Sequence, residues 1–94
     1  PAAGNYGGAA MEADTDRMGA DFTGFAMAQP DPAACMAACN ANAACRAWTF
    51  VKPGIKGPAA QCFLKNAVPP PTRNACCVSG AKPDARSSLS APMR

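Results

Sequence analysis

The large apolar side chains of this chain fall in short clusters separated by proline, glycine and aspartate. The first cluster runs from Met11 to Met27. Here Met11, Phe22, Phe25 and Met27 alternate with polar residues and read as fragments of short strands, interrupted at Asp14-Thr15-Asp16 and at Gly24. The clearest local signal follows at Asp31-Pro32-Ala33-Ala34. Asp31 suits a helix N-cap, and Pro32 suits the first helical position, where its missing N–H removes no intrahelical bond. The alanine-rich run to about Asn42 then predicts a helix. Within it Cys35 and Cys39 stand four residues apart and share one face.

Beyond the helix, Arg46-Ala47-Trp48-Thr49-Phe50-Val51 is the strongest strand pattern, rich in aromatic and β-branched residues. Lys52 to Ala60 carries two prolines and two glycines and predicts a long hairpin loop. Gln61 to Val68 reads as the returning strand, with Cys62 and Leu64 on one face and Phe63 and Lys65 on the other. Val68-Pro69-Pro70-Pro71 must leave the sheet, and Cys76 to Ser79 reads as a last short edge strand. Residues 1–10 form a Gly/Ala-rich arm and residues 83–94 a polar tail, leaving 11–82 as the domain. Such arms suit gripping a neighbouring chain through backbone hydrogen bonds, which need little side-chain bulk.

Composition sharpens this picture. The chain is 49% hydrophobic, yet 23 of its 94 residues are alanine and only ten are Leu, Ile, Val or Phe. A core that poor needs staples. Six cysteines supply them: Cys35, Cys39, Cys45, Cys62 and the adjacent Cys76 and Cys77. An even count in a short chain reads as a disulfide framework, which places it in an oxidising compartment, extracellular or periplasmic. No run of about 18 apolar residues predicts a transmembrane helix. The sequence opens at Pro1 rather than Met, which reads as a processed chain.

Several chemistries are set aside. The absence of histidine removes mixed Cys/His zinc sets, haem c attachment and histidine-based nucleophile activation. The reading is therefore not an enzyme, with no cofactor and no metal. Asp14, Asp16 and Asp21 lack the spacing and closing glutamate of a calcium loop. A net charge of +3 and six uninterleaved aromatics do not suit nucleic acid.

The run C-M-A-A-C-N-A-N-A-A-C-R-A-W-T-F-V-K-P-G-I-K-G-P-A-A-Q-C-F-L-K, followed by V-P-P-P and C-C-V-S-G, resembles the bacterial branch of the PAN/apple domain family. The upstream Asp14 to Phe25 looks like the same family's first strands, so the resemblance spans roughly Met11 to Lys82. It implies an α+β fold with one helix packed on a curled antiparallel sheet. It also implies disulfides Cys35–Cys62 and Cys39–Cys45, which fits two cysteines on one helix face reaching different partners. With no cysteine before Cys35, the bridge that joins the terminal strands in many eukaryotic members cannot form. Cys76 and Cys77 are then open to three readings: a vicinal disulfide, a bridge to another chain, or two free buried thiols.

The family includes protein and carbohydrate binders, which makes Trp48 a candidate sugar-stacking platform, against a plainer role covering one face of a thin sheet. Arg46, Trp48, Phe50, Lys52, Lys56 and Lys65 are the candidate binding surface, and with Arg73 the basic residues form a candidate patch for an anionic partner, against a plainer role as scattered solvated charges. The functional expectation is an exported, non-enzymatic accessory module that contacts protein, as a subunit or decoration of a larger assembly. The alternatives are a carbohydrate-binding module using the face around Trp48 and the Lys52–Ala60 loop, and a regulator or inhibitor of an exported enzyme with the same loop as a wedge.

Overall fold

The structure, a computed structural model, describes residues 11–82. Its elements are β1 (Glu12–Asp16), β2 (Asp21–Met27), α1 (Pro32–Asn40), β3 (Ala47–Val51), β4 (Ala60–Lys65) and β5 (Thr72–Ala81). The strands form one antiparallel sheet in the order β1-β5-β3-β4-β2. This is the expected small α+β domain, one helix on an antiparallel sheet with three disulfides.

Helix α1 starts where its local chemistry dictates. The Asp31 carboxylate accepts the Ala33 N–H at 3.0 Å, and Pro32 opens the helix. The helix stops at Ala41, whose N–H still reaches the Ala37 carbonyl, while the Asn42 N–H reaches Cys39. Only Cys35 and Cys39 of the helix are fully buried, because alanine gives it no large apolar stripe. Covalent bonds hold it down instead. Cys35 joins Cys62 on β4 across 27 positions, and Cys39 joins Cys45 across 6.

Strand alternation divides the sheet into two faces. Trp48, Phe50, Cys62 and Leu64 point toward the helix and form the core with Cys35, Cys39, Cys45 and Ala60. Trp48 is the largest fully buried side chain. Its indole lies directly over Gly80, its register partner on β5, where a Cβ would come within 2.7 Å of the ring. Gly80 is therefore the floor on which the indole rests, and only glycine allows so close an approach.

The structure corrects four local expectations. The Cys76–Ser79 strand is neither short nor an edge. It belongs to the ten-residue β5, which pairs with β3 on one side and β1 on the other. Asp14-Thr15-Asp16 lies within β1, with Asp14 at φ 50 marking a bulge rather than a turn. Gly24 sits in the middle of β2, because the Phe63 ring covers it from the neighbouring strand. The returning strand ends at Lys65, where Asn66 turns away to donate its N–H to Ala20. The two terminal arms lie outside the described residues.

The pairing of β1 with β5 is irregular. Ala13 faces Val78 and Thr15 faces Arg73, so Asp14 alone stands against the four residues Asn74 to Cys77. Over that stretch β5 leaves β1 while staying registered on β3 through Cys77 and Val51. Two polar anchors close the frame. Arg17, buried, donates to both carboxylate oxygens of Glu12 at 2.9 and 2.7 Å and to the Pro69 carbonyl. Lys82, also buried, donates from Nζ to the Asn42 carbonyl at 2.8 Å, tying the end of β5 to the turn after the helix.

Two stability outcomes are expected. Gly80→Ala drives a methyl into Trp48 and should cost about 1–3 kcal/mol. Gly24→Ala, which meets only the movable Phe63 ring and less closely the Cys62 carbonyl, should cost less. Denaturant midpoints followed by Trp48 fluorescence check the order. Loop entropy assigns about 3.6 kcal/mol to Cys35–Cys62 and about 2.4 kcal/mol to Cys39–Cys45 at 25 °C. Paired Cys→Ala variants, compared with the wild type by the same midpoints, should rank in that order.

Candidate functional site

The face of the sheet away from the helix carries Thr49 and Val51 from β3, Phe63 and Lys65 from β4, and Cys77 and Ser79 from β5. Its polar floor is fully paired. The Thr49 and Ser79 hydroxyls are 2.8 Å apart, and the Ser79 hydroxyl also donates to the Thr15 carbonyl at 2.8 Å. Among the described residues no buried side-chain polar atom lacks a partner. What remains exposed on this face is mostly apolar.

Three segments rise around that floor. The β1–β2 connection brings Met18 and Gly19, the β3–β4 loop brings Ile55 and Lys56, and the β5 excursion brings Asn74, Ala75 and Cys76. Together they enclose a concavity of about 610 Å³ with Asp16 and Asp21 on its margin. The connection turns sharply, with Gly19 at φ 101 and Ala20 at φ 64. Met18 is 71% and Ile55 55% exposed, the two most exposed large apolar side chains among the described residues.

Charge in the concavity is largely internal. The Lys65 ammonium is buried, ion-paired with Asp21 and donating to the Gly19 carbonyl at 3.2 Å. This pair fastens the β1–β2 connection to β4. Lys56 stands over the Phe63 ring at 5.8 Å from its centroid, within cation–π range. The Asp16 carboxylate lies within 4.8 Å of the Cys76 and Cys77 sulfurs, which are joined to each other. Asp14 and Asp21 are drawn to separate partners, Asp14 pairing with Lys52 at 3.2 Å and Asp21 with Lys65.

The expected binding surface is redrawn accordingly. Trp48 and Phe50 are 1% and 3% exposed and belong to the core on the opposite face, so neither is a platform for a ligand. Alternation along β3 sends them inward because the helix is on that side. Lys65 is also buried, neutralised by Asp21. Of the six candidates, Lys56 and Lys65 line the concavity. Arg46 is exposed at the start of β3, where its backbone pairs with Lys65 and Lys82, away from this site. Lys52 is engaged by Asp14, and Arg73 lies opposite Thr15 on the far strand. The basic residues therefore form no common patch.

The Lys52–Ala60 loop, expected as a binding element, does bring Ile55 and Lys56 to the concavity, whereas Met18, Phe63 and the Asn74–Cys77 wall were missed. A usable signal was present: Met18 and Ile55 are large apolar residues flanked by glycine and charge, outside any apolar alternation that would send them to the core.

The sequence profile of a family described as PAN domain matches residues 15–65, just over half the chain. The chain belongs to the PAN domain family. Domains of this family are typically non-catalytic modules that mediate protein or carbohydrate interactions. No curated protein matches the chain. The disulfides and the PAN assignment fit an extracellular setting, and no described helix is long and apolar enough to cross a membrane. Residues 15–65 take in β2, α1, β3, β4 and the end of β1, whereas the Cys76–Cys77 wall lies beyond the matched segment.

The buried pair yields a test. Lys65→Met keeps the alkyl stem, and the released Asp21 is about half exposed and stays hydrated. The stability change should be within about 1 kcal/mol of wild type. Asp21→Ala should cost more, because it leaves the buried ammonium with only the Gly19 carbonyl. Denaturant midpoints of the two variants decide the order.

Proposed function

We propose that this PAN domain is a non-enzymatic, exported binding module that holds a protein partner in the concavity on its open sheet face. It would serve as a small subunit or decoration of a larger extracellular or periplasmic assembly. The observation that carries this reading is the unpartnered apolar rim, Met18 and Ile55 above Val51 and Phe63, beside a fully satisfied polar floor. A surface of this kind gains most from excluding water against another apolar surface.

The same site suits sugars less well. Carbohydrate platforms need exposed aromatic faces with free hydrogen-bonding groups around them. Here the single tryptophan is in the core, and the one aromatic ring of the concavity, Phe63, is covered by Lys56. A catalytic reading finds little support, because histidine is absent and the Asp21 carboxylate at the site is neutralised by Lys65. Inhibition of an exported enzyme is one form that protein binding can take, with the Ile55–Lys56 loop as the inserting part.

The test is capture followed by site-directed disruption. The oxidised chain, immobilised and exposed to extract from the native source, should retain a defined protein. The Met18→Asp/Ile55→Asp variant should lose at least about tenfold in affinity while Trp48 fluorescence, which reports on the opposite face, stays native. Undiminished capture by that variant would remove the concavity as the site. A glycan-array signal abolished by the same variant would move the reading to carbohydrate.

A further inference from the structure

The least explained feature of the concavity is its wall of adjacent cysteines. We propose that the Cys76–Cys77 disulfide is a redox-addressable latch of this site. Closed, it holds the Asn74–Cys77 excursion in the shape that walls the concavity. Opened by a dithiol reductant, it frees that wall while the helix and sheet stay in place. The inference rests on the open face being the binding site.

Placement is the first support. The disulfide lies where β5 is held on one side only: β1 contributes Asp14 alone against four residues, while β3 keeps its grip through Cys77–Val51 and the Lys52 N–H to Cys76 carbonyl bond at 2.9 Å. Within the excursion, the Cys76 N–H donates to the Asn74 side-chain oxygen at 3.0 Å. A segment so thinly tied takes its form from whatever covalent constraint it carries.

Independence from the fold is the second. Cys35–Cys62 and Cys39–Cys45 bind the helix to the sheet and to the start of β3, closing separations of 27 and 6 residues. Cys76–Cys77 closes a separation of one and crosses no boundary between elements. Opening it returns the freedom of a dipeptide to the chain, the least that any disulfide can release.

Access is the third. Cys35, Cys39, Cys45 and Cys62 are at most 1% exposed beneath the helix, whereas Cys76 is half-buried and faces the concavity. A reductant therefore meets Cys76 before it meets any other cysteine sulfur. Its thiolate attacks the Cys76 sulfur, and the Sγ–Sγ bond breaks to leave Cys77 as a thiol once it takes up a proton. The reductant's second thiol then resolves the mixed disulfide. Two protein thiols and one disulfide in the reductant result, with two electrons transferred. Any site ligand packed on the wall would shield the bond, so occupancy and reduction oppose one another.

The experiment uses the isolated chain and needs no partner, so its failure is separate from a failure to capture protein. Graded dithiothreitol is added to the oxidised, isotope-labelled domain, and thiols are trapped with iodoacetamide for peptide mass mapping. Cys76 and Cys77 should be labelled at least about tenfold faster than the other four cysteines. In untrapped samples at the same reductant level, amide resonances of Asp14–Asp16, Val51 and Asn74–Val78 should shift. Those of α1, Trp48 and Leu64 should remain in place, and reoxidation should restore the first set. Cys76→Ser/Cys77→Ser should reproduce the reduced spectrum; should that variant fail to fold, the latch is part of the framework and the proposal fails. Labelling of all six cysteines at one rate overturns it too, as does selective reduction that leaves Asp16 and Val51 unmoved.

Discussion

Helix α1 meets the sheet through a covalent bond before it meets it through packing. Cys35 and Cys39 are the only residues of the helix that are wholly buried, and the first is joined to Cys62 at the centre of β4. An alanine-rich helix of nine residues has neither the length nor the apolar stripe to dock unaided. Once it is held, Trp48, Phe50 and Leu64 have something to pack against, and the indole can settle on Gly80. The two polar anchors then fix the periphery: Arg17 binds β1 to the proline segment, and Lys82 binds β5 to the turn after the helix. Remove the first bond and the core loses the cover that the helix gives it on that face.

This hierarchy of contacts explains which features were legible in the sequence. The helix start was readable because Asp31 and Pro32 act on backbone groups two residues away at most. The two central strands were readable from their aromatic and β-branched content and from the proline-glycine loop between them. Strand order was not. Nothing local in Thr72–Ala81 says that it lies between β1 and β3, since that position depends on partners some 30 and 60 residues distant. Gly24 and Gly80 look like interruptions along the chain, whereas in space each lies beneath an aromatic ring from the next strand.

The site was hidden for the same reason. Its margin comes from the β1–β2 connection, the β3–β4 loop and the β5 excursion, three segments that no periodicity links. The sequence favoured Trp48 as a stacking platform and the basic residues as a patch for an anionic partner. Burial overrode the first and ion pairing the second: the tryptophan was needed for a core short of large side chains, and Lys52 and Lys65 were needed to hold Asp14 and Asp21. Where apolar residues are this scarce, those left outside the core are the informative ones.

The division of the sheet into a stapled face and an open one has a consequence for how such a domain can diversify. The two disulfides that carry the fold, and Trp48 with Gly80, all lie on the helix side. Positions 18, 55, 56 and 75 lie on the other side, in loops or in the excursion that leaves β1. Mutational drift at those positions is decoupled from folding stability, so recognition can be rewritten without re-solving the packing problem. A domain with little core thereby retains a large evolvable surface.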